Sequence, residues 1–112
     1  MLDDALDKAR AASADRQRRA ELLTSSLASA QAKVSAASDF IATRRGAIQS
    51  TARTRLAEAE RLLTEANAGA AGDPAAAIES ARRAGGLADQ ALMSAQGDVA
   101  QWQQSQQPPQ QR

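Results

Sequence analysis

From Leu2 onward the residues Leu2, Leu6, Ala9, Ser13, Arg16, Ala20, Leu23, Leu27, Ala30, Val34, Ala37 and Ile41 follow one another in alternating steps of four and three. That rhythm is the a/d seam of a left-handed coiled coil. Neither proline nor glycine interrupts it before Gly46, so the pattern predicts one helix over about 2–44, roughly 60 Å long at 1.5 Å per residue. Two stretches weaken the seam. Ser13 to Arg19 places polar residues on it beside Arg16, Arg18 and Arg19, and Thr24, Ser25 and Ser26 are three poor helix formers in a row, where a bend or break is open.

The stop comes at Thr43-Arg44-Arg45-Gly46. Cations meet the exposed carbonyls of the last turn, and glycine takes the left-handed conformation at no steric cost. Ile48 is expected to tuck under the turn. A second helix over about 50–68 then runs back with Ala52, Leu56, Ala59, Leu63 and Ala66 inside, and with Glu58, Arg61 and Glu65 forming solvent-side pairs. Ala68 to Gly72 ends it. Asp73 and Pro74 open a third helix over about 74–104, because aspartate caps the free N–H groups and proline lacks the one that would go unused. Its seam reads Ile78, Ala81, Gly85, Ala88, Leu92, Ala95, Val99 and Trp102. Gly85 and Gly86 mark a close approach or a kink, with a continuous helix preferred, and Trp102 is expected to cap the end of the bundle.

The short connections imply an all-α, elongated, antiparallel three-helix coiled-coil bundle, forming a single domain over 1–105. A Gln/Pro-rich tail over 106–112 is expected to be disordered. The lengths do not match, since a 19-residue second helix spans about 28 Å and covers only about Ser25 to Thr43 of the first. Leu2, Leu6, Leu22 and Leu23 are thereby expected to protrude as an apolar stripe. Such a stripe calls for a protein partner, another copy of the chain, a bend at Thr24–Ser26 or a longer coiled coil in a parent protein.

Composition sharpens this picture in three ways. Much of the apolar content is alanine, so close helix packing replaces a thick interior. Fourteen basic against thirteen acidic residues give none of the positive excess of a general nucleic-acid binder. With no cysteine, histidine or tyrosine, the chain lacks the commonest catalytic and metal-ligating groups. No catalytic, metal or cofactor residue is therefore assigned and no enzyme is expected. Asp3, Asp4 and Asp7 are read as complementing the helix dipole and not as a metal site. No run approaches the roughly 18 apolar residues of a membrane span, and MLDDALDK is acidic where a signal peptide would be basic. The segment itself is expected to be soluble.

Two local charge clusters remain. Arg16, Arg18 and Arg19 stand near Asp15 and Glu21, with an Asp15–Arg19 pair expected, and read best as a solvated face. Arg44, Arg45, Arg53 and Arg55 have no acidic residue between Phe40 and Ala57. This basic turn serves either the helix end and cross-bundle bonds or an anionic membrane surface or acidic partner. Arg53 and Arg55 sit unfavourably at a helix N-terminus, which keeps the second reading open. The candidate interaction residues are Leu2, Leu6 and Leu23 on the stripe and these four arginines.

The segments SDFIATRRGAIQSTARTRLAEAERLLTEA and DPAAAIESARRAGGLADQALMSAQGDV resemble the C-terminal helical region of actinobacterial TPM-domain membrane proteins. A TRRG turn, an ARTRLAEA helix and a later helix started by DP recur there in this order. The resemblance covers about 34–104. It implies a parent with a signal sequence, a TPM domain outside the membrane and a transmembrane segment, followed by this helical part on the cytoplasmic side. Neither the TPM domain nor the span lies in this chain, so the resemblance assigns no chemistry to its residues. The expectation is a non-enzymatic structural or interaction segment of a membrane-anchored protein, with an anion- or membrane-surface module as the alternative.

Overall fold

A computed structural model describes residues 2–107. Three helices follow one another, α1 (Leu2–Thr43), α2 (Ser50–Gly69) and α3 (Pro74–Gln106). Short turns reverse the chain twice, so α2 is antiparallel to both neighbours and α3 runs parallel to α1. The all-helical, elongated architecture predicted by the periodicity is present, with principal extents of 88 × 27 × 16 Å. Of the tail, Gln106 still belongs to α3 and Gln107 forms a bend, while the expectation of disorder over 108–112 falls outside the described residues.

Helix α1 is unbroken through Thr24–Ser26. The hydroxyls there turn back onto their own helix: Thr24 Oγ1 donates to the Ala20 carbonyl at 3.0 Å and Ser25 Oγ to the Leu22 carbonyl at 3.1 Å. The hydroxyls are satisfied within the helix, which runs on with no fold-back.

The interior is built mostly of alanine. Ala30, Val34, Ala37, Ala59, Leu62, Leu63, Ala66, Ala81, Ala84, Ala88 and Ala91 form the main cluster, with Leu27, Leu56, Leu87 and Leu92 around it. A second cluster of Ile41, Ile48, Ala52 and Ala95 lies under the first turn with Phe40 and Val99. Helix α3 is the central element, packed along both α1 and α2, which touch each other far less. It therefore needs two apolar stripes: Ala81, Ala88 and Ala95, on the expected seam, and Ala77, Ala84 and Ala91 beside it. Gly85 is buried where α3 meets α1, its Cα facing Ala30 and Lys33. Gly85 marks a close approach without a break in the helix, while Gly86 is exposed.

The first turn departs from the glycine stop. No glycine has a positive φ among the described residues, so Gly46 is not a left-handed cap. Instead the chain leaves α1 through tight turns, with Arg44 N–H on the Ile41 carbonyl (3.2 Å), Ala47 N–H on Arg44 (3.0 Å) and Ile48 N–H on Arg45 (3.4 Å). Thr43 Oγ1 donates to the Asp39 and Phe40 carbonyls at 3.0 and 3.1 Å. The orphan carbonyls are met by side chains, which removes the need for a left-handed residue. Ile48 is buried beneath this turn as expected. The second turn follows the predicted chemistry, Asp73 Oδ1 accepting from Ala76 N–H at 3.1 Å with Pro74 in the first helical turn.

Candidate functional site

Two surfaces carry the residues singled out by the sequence. One is the free half of α1. From Leu2 to Ala20 nearly every residue is exposed, Leu2 at 86% and Leu6 at 51%. The three-helix part begins further back along α1 than helix lengths alone imply. Ala70 and Pro74, in and after the α2–α3 turn, line a crevice with Arg16, Arg19, Ala20 and Leu23. Leu23, expected to protrude, is instead half-buried there. The turn residues extend the covered length beyond what α2 spans by itself. Leu22, 42% exposed, stays on the open side.

The free half is also polar at its two ends in opposite senses. Asp3, Asp4 and Asp7 occupy its beginning, and Arg16, Arg18 and Arg19 lie toward the bundle. Arg18 pairs with Asp15 one turn away, not Arg19 as expected. The i,i+3 partner wins because the two side chains meet on the same exposed face.

The other surface is the basic turn. Arg44 lies over the Phe40 ring, 4.0 Å from its centroid, and its Nη1 donates to Thr43 Oγ1 at 2.8 Å and to the Phe40 carbonyl at 3.5 Å. Arg53 reaches back to the turn, Nη2 donating to the Arg45 and Ile48 carbonyls at 2.8 and 3.3 Å. Arg55, half-buried, donates from Nη1 to Ser94 Oγ on α3 at 2.9 Å. Arg44 and Arg53 thus hold the turn together, and Arg55 ties α2 to α3. The awkward position of Arg53 and Arg55 at the start of α2 is relieved by an acid from another helix: Asp98 Oδ2 accepts the Gln49 N–H at 2.9 Å. Among the described residues, none of Arg44, Arg45, Arg53 and Arg55 belongs to an ion pair, and Arg45 makes no side-chain hydrogen bond.

Helix α3 overruns this turn. Val99, Trp102 and Gln103 form one wall of a cleft of about 310 Å³ whose other wall is Thr43, Arg44, Arg45, Gly46 and Ala47. Trp102 lies at this end of the bundle and is 47% exposed, so it covers the end only in part. The seam continues past the last residue able to cover it. The nearness of Trp102 to the arginines escapes a one-dimensional reading, although helix-length arithmetic places them at the same end. A polar groove further along, lined by Ser25, Ser26, Ser29, Lys33, Arg82 and Gly85, is partly neutralised by the Lys33–Asp89 pair at 3.2 Å.

Among the described residues no group of three His, Cys, Asp or Glu side chains comes together. No helix of these residues is long and apolar enough to cross a membrane. The structure presents a packed three-helix part, an exposed helical arm at one end and a basic, tryptophan-bearing cleft at the other.

Comparison with known proteins finds similarity to mycobacterial sequences. Over 102 residues, 88% of its length, the chain is 41% identical to UPF0603 proteins of Mycobacterium tuberculosis. These are UPF0603 protein MT2410 and UPF0603 protein Rv2345, from two strains, and the chain spans 16% of the length of each. No family model and no solved structure matches the chain.

Proposed function

We propose that this chain is a non-enzymatic helical interaction segment of a larger, membrane-anchored protein. In this reading the three-helix part is a rigid spacer and the free half of α1 is the pairing surface. The exposure of Leu2 and Leu6 on a helix that continues unbroken out of a packed bundle carries the proposal. The similarity to much longer UPF0603 proteins supports a segment serving a larger molecule. The resemblance to the helical region of TPM-domain proteins supports a membrane anchor, with this segment on the cytoplasmic side.

A second copy of the chain is the partner that the residue pattern fits. Antiparallel pairing centred on Ala11 sets Leu2 opposite Ala20, Leu6 opposite Arg16 and Ala9 opposite Ser13, which matches a to d layers throughout. It also brings the acidic end of each arm to the basic end of the other. The seam is alanine-rich and Arg10 faces its own copy near the centre, so the pairing is weak and salt-sensitive, in the micromolar range or above.

Sedimentation equilibrium up to about 1 mM chain tests this. The chain should show a monomer–dimer equilibrium that Leu2→Asp/Leu6→Asp abolishes while the bundle keeps its helicity. A monomer throughout, or a dimer indifferent to the double change, would contradict it. Leu23 is left out of the variant because its side chain packs near Ala70 and Pro74. Membrane fractionation and protease accessibility of the full-length parent test the anchor and its side.

A further inference from the structure

We propose that the cleft between Trp102 and Arg44–Arg45 is a docking site for an anionic lipid surface. The site stands apart from the pairing arm, at the opposite end of the rod. The first observation is the aromatic. Trp102 continues the α3 seam beyond the residues that could bury it, leaving 47% of a large amphipathic side chain open. Its neighbours in the cleft are Val99 on its own helix and Ala47 and Gly46 across it. An indole with one apolar flank and a polar N–H suits the boundary between headgroups and acyl chains.

The second observation is charge. Arg44 and Arg45 form the rim of the same cleft, and neither belongs to an ion pair among the described residues. Arg44 is held in place by the Phe40 ring and the Thr43 hydroxyl, which leaves its guanidinium positioned but not neutralised. Arg45 is exposed and makes no side-chain bond among the described residues. Outside the cleft itself, Arg53 adds positive charge while holding the turn, and Arg55 adds more further along α2, bonded to Ser94. The acids at this end are Asp39, exposed on α1, and Asp98, which is engaged with the Gln49 N–H. Arginine is therefore in excess around the tryptophan.

The third observation is shape. The cleft is open, and no buried side-chain polar atom lacks a partner among the described residues. An enclosed site for one soluble anion would aim such a donor inward, whereas a rim of cations around a shallow apolar floor matches a surface that presents many phosphates at once. Each arginine brought to such a surface is worth about fivefold in affinity.

Trp102 is the only tryptophan and the chain has no tyrosine, so its fluorescence reports on this cleft alone. The full chain is titrated with phosphatidylcholine vesicles with and without phosphatidylglycerol, and binding is measured in parallel by vesicle co-sedimentation. The proposal expects a blue-shifted emission and co-sedimentation only with the anionic vesicles, both lost at high salt. Arg45→Gln, which disturbs no bond of the fold, should weaken partitioning about fivefold, and Arg44→Gln/Arg45→Gln about 25-fold with helicity retained. Trp102→Leu should lower co-sedimentation, and Leu2→Asp/Leu6→Asp should leave it unchanged. Absence of binding to anionic vesicles, or binding that Arg45→Gln leaves intact, would overturn the proposal. An equal, saturable shift with inorganic phosphate or with single-stranded DNA would also overturn it, in favour of a soluble-anion or nucleic-acid site.

Discussion

The carboxylate of Asp98 on α3 accepts the backbone N–H of Gln49, 2.9 Å away, and so caps a helix to which it does not belong. Gln49 is the N-cap residue of α2 and its own side chain makes no cap bond. The first turn of α2 contains no acid and is followed closely by Arg53 and Arg55. The negative charge that the helix start favours is therefore delivered through tertiary structure. Asp98→Ala should lower stability by about 1 kcal/mol, the usual value of an N-cap, seen as a melting temperature lower by about 4–8 °C. Asp98→Asn keeps an acceptor without the charge and should fall between the two. A loss in Asp98→Ala no larger than that of the exposed Glu79→Ala would show that the contact contributes nothing.

The two adjacent glycines of α3 should respond differently to alanine. A Cβ at Gly86 meets nothing within 4 Å, so Gly86→Ala should gain about 0.5–1 kcal/mol from helix propensity. A Cβ at Gly85 lies 3.3 Å from Lys33 Cδ and 3.9 Å from Ala30 Cα. The flexible lysine can give way, at some cost to its pair with Asp89, so Gly85→Ala should lie between wild type and Gly86→Ala. Gly85→Leu forces α1 from α3 and should fall below wild type. Urea midpoints measure this order, and a Gly86→Ala variant less stable than Gly85→Ala would contradict the packing described.

Arg61 holds Glu58 through Nε–Oε2 at 3.0 Å and Nη2–Oε1 at 2.6 Å. This hydrogen bonding lowers the Glu58 pKa from its ordinary 4.5, with the charge of Arg61 acting the same way. Because the folded value is depressed, the stabilising effect is present above 4.5 and is lost as the pH falls through the folded value. The pair is on the surface, so the effect is modest and salt-sensitive. A carboxyl titration by NMR should place Glu58 below 4.5. Arg61→Gln should return it toward that value, with a stability deficit present at neutral pH that disappears in acid. A Glu58 titration unchanged by Arg61→Gln would exclude the pair as the cause.

The helices and their turns were legible because each carries a local signal: the four-three rhythm of α1, the Asp73–Pro74 start of α3, and the sharp change of pattern at Thr43 to Gly46. What was not legible depends on which alanine faces which neighbour. Ala77, Ala84 and Ala91 are buried like Ala81, Ala88 and Ala95, yet Ala75 and Ala76 are exposed, so alanine itself does not report a face. Leu62, the largest fully buried side chain, lies one residue off the seam read from Leu63. The roles of Arg53 and Arg55 were hidden for a related reason. Their partners, the Arg45 and Ile48 carbonyls and Ser94, come from the turn and from another helix, and charge bookkeeping along the chain sees neither. Leu23 is half-buried where a protruding side chain is expected, because turn residues reach past the helix end, and Trp102 stays partly open because the seam continues where its covering helix stops.

Hydrogen exchange followed at several chain concentrations tests the central claim that α1 is half bundle and half pairing arm. At high dilution the amides of residues 27–43 should be strongly protected and those of residues 2–15 should exchange far faster, since only the former are packed by α3. Raising the concentration should slow exchange in the arm alone, and Leu2→Asp/Leu6→Asp should cancel that change. An arm as protected as the bundle at high dilution, or one whose exchange is the same at every concentration, would contradict the account.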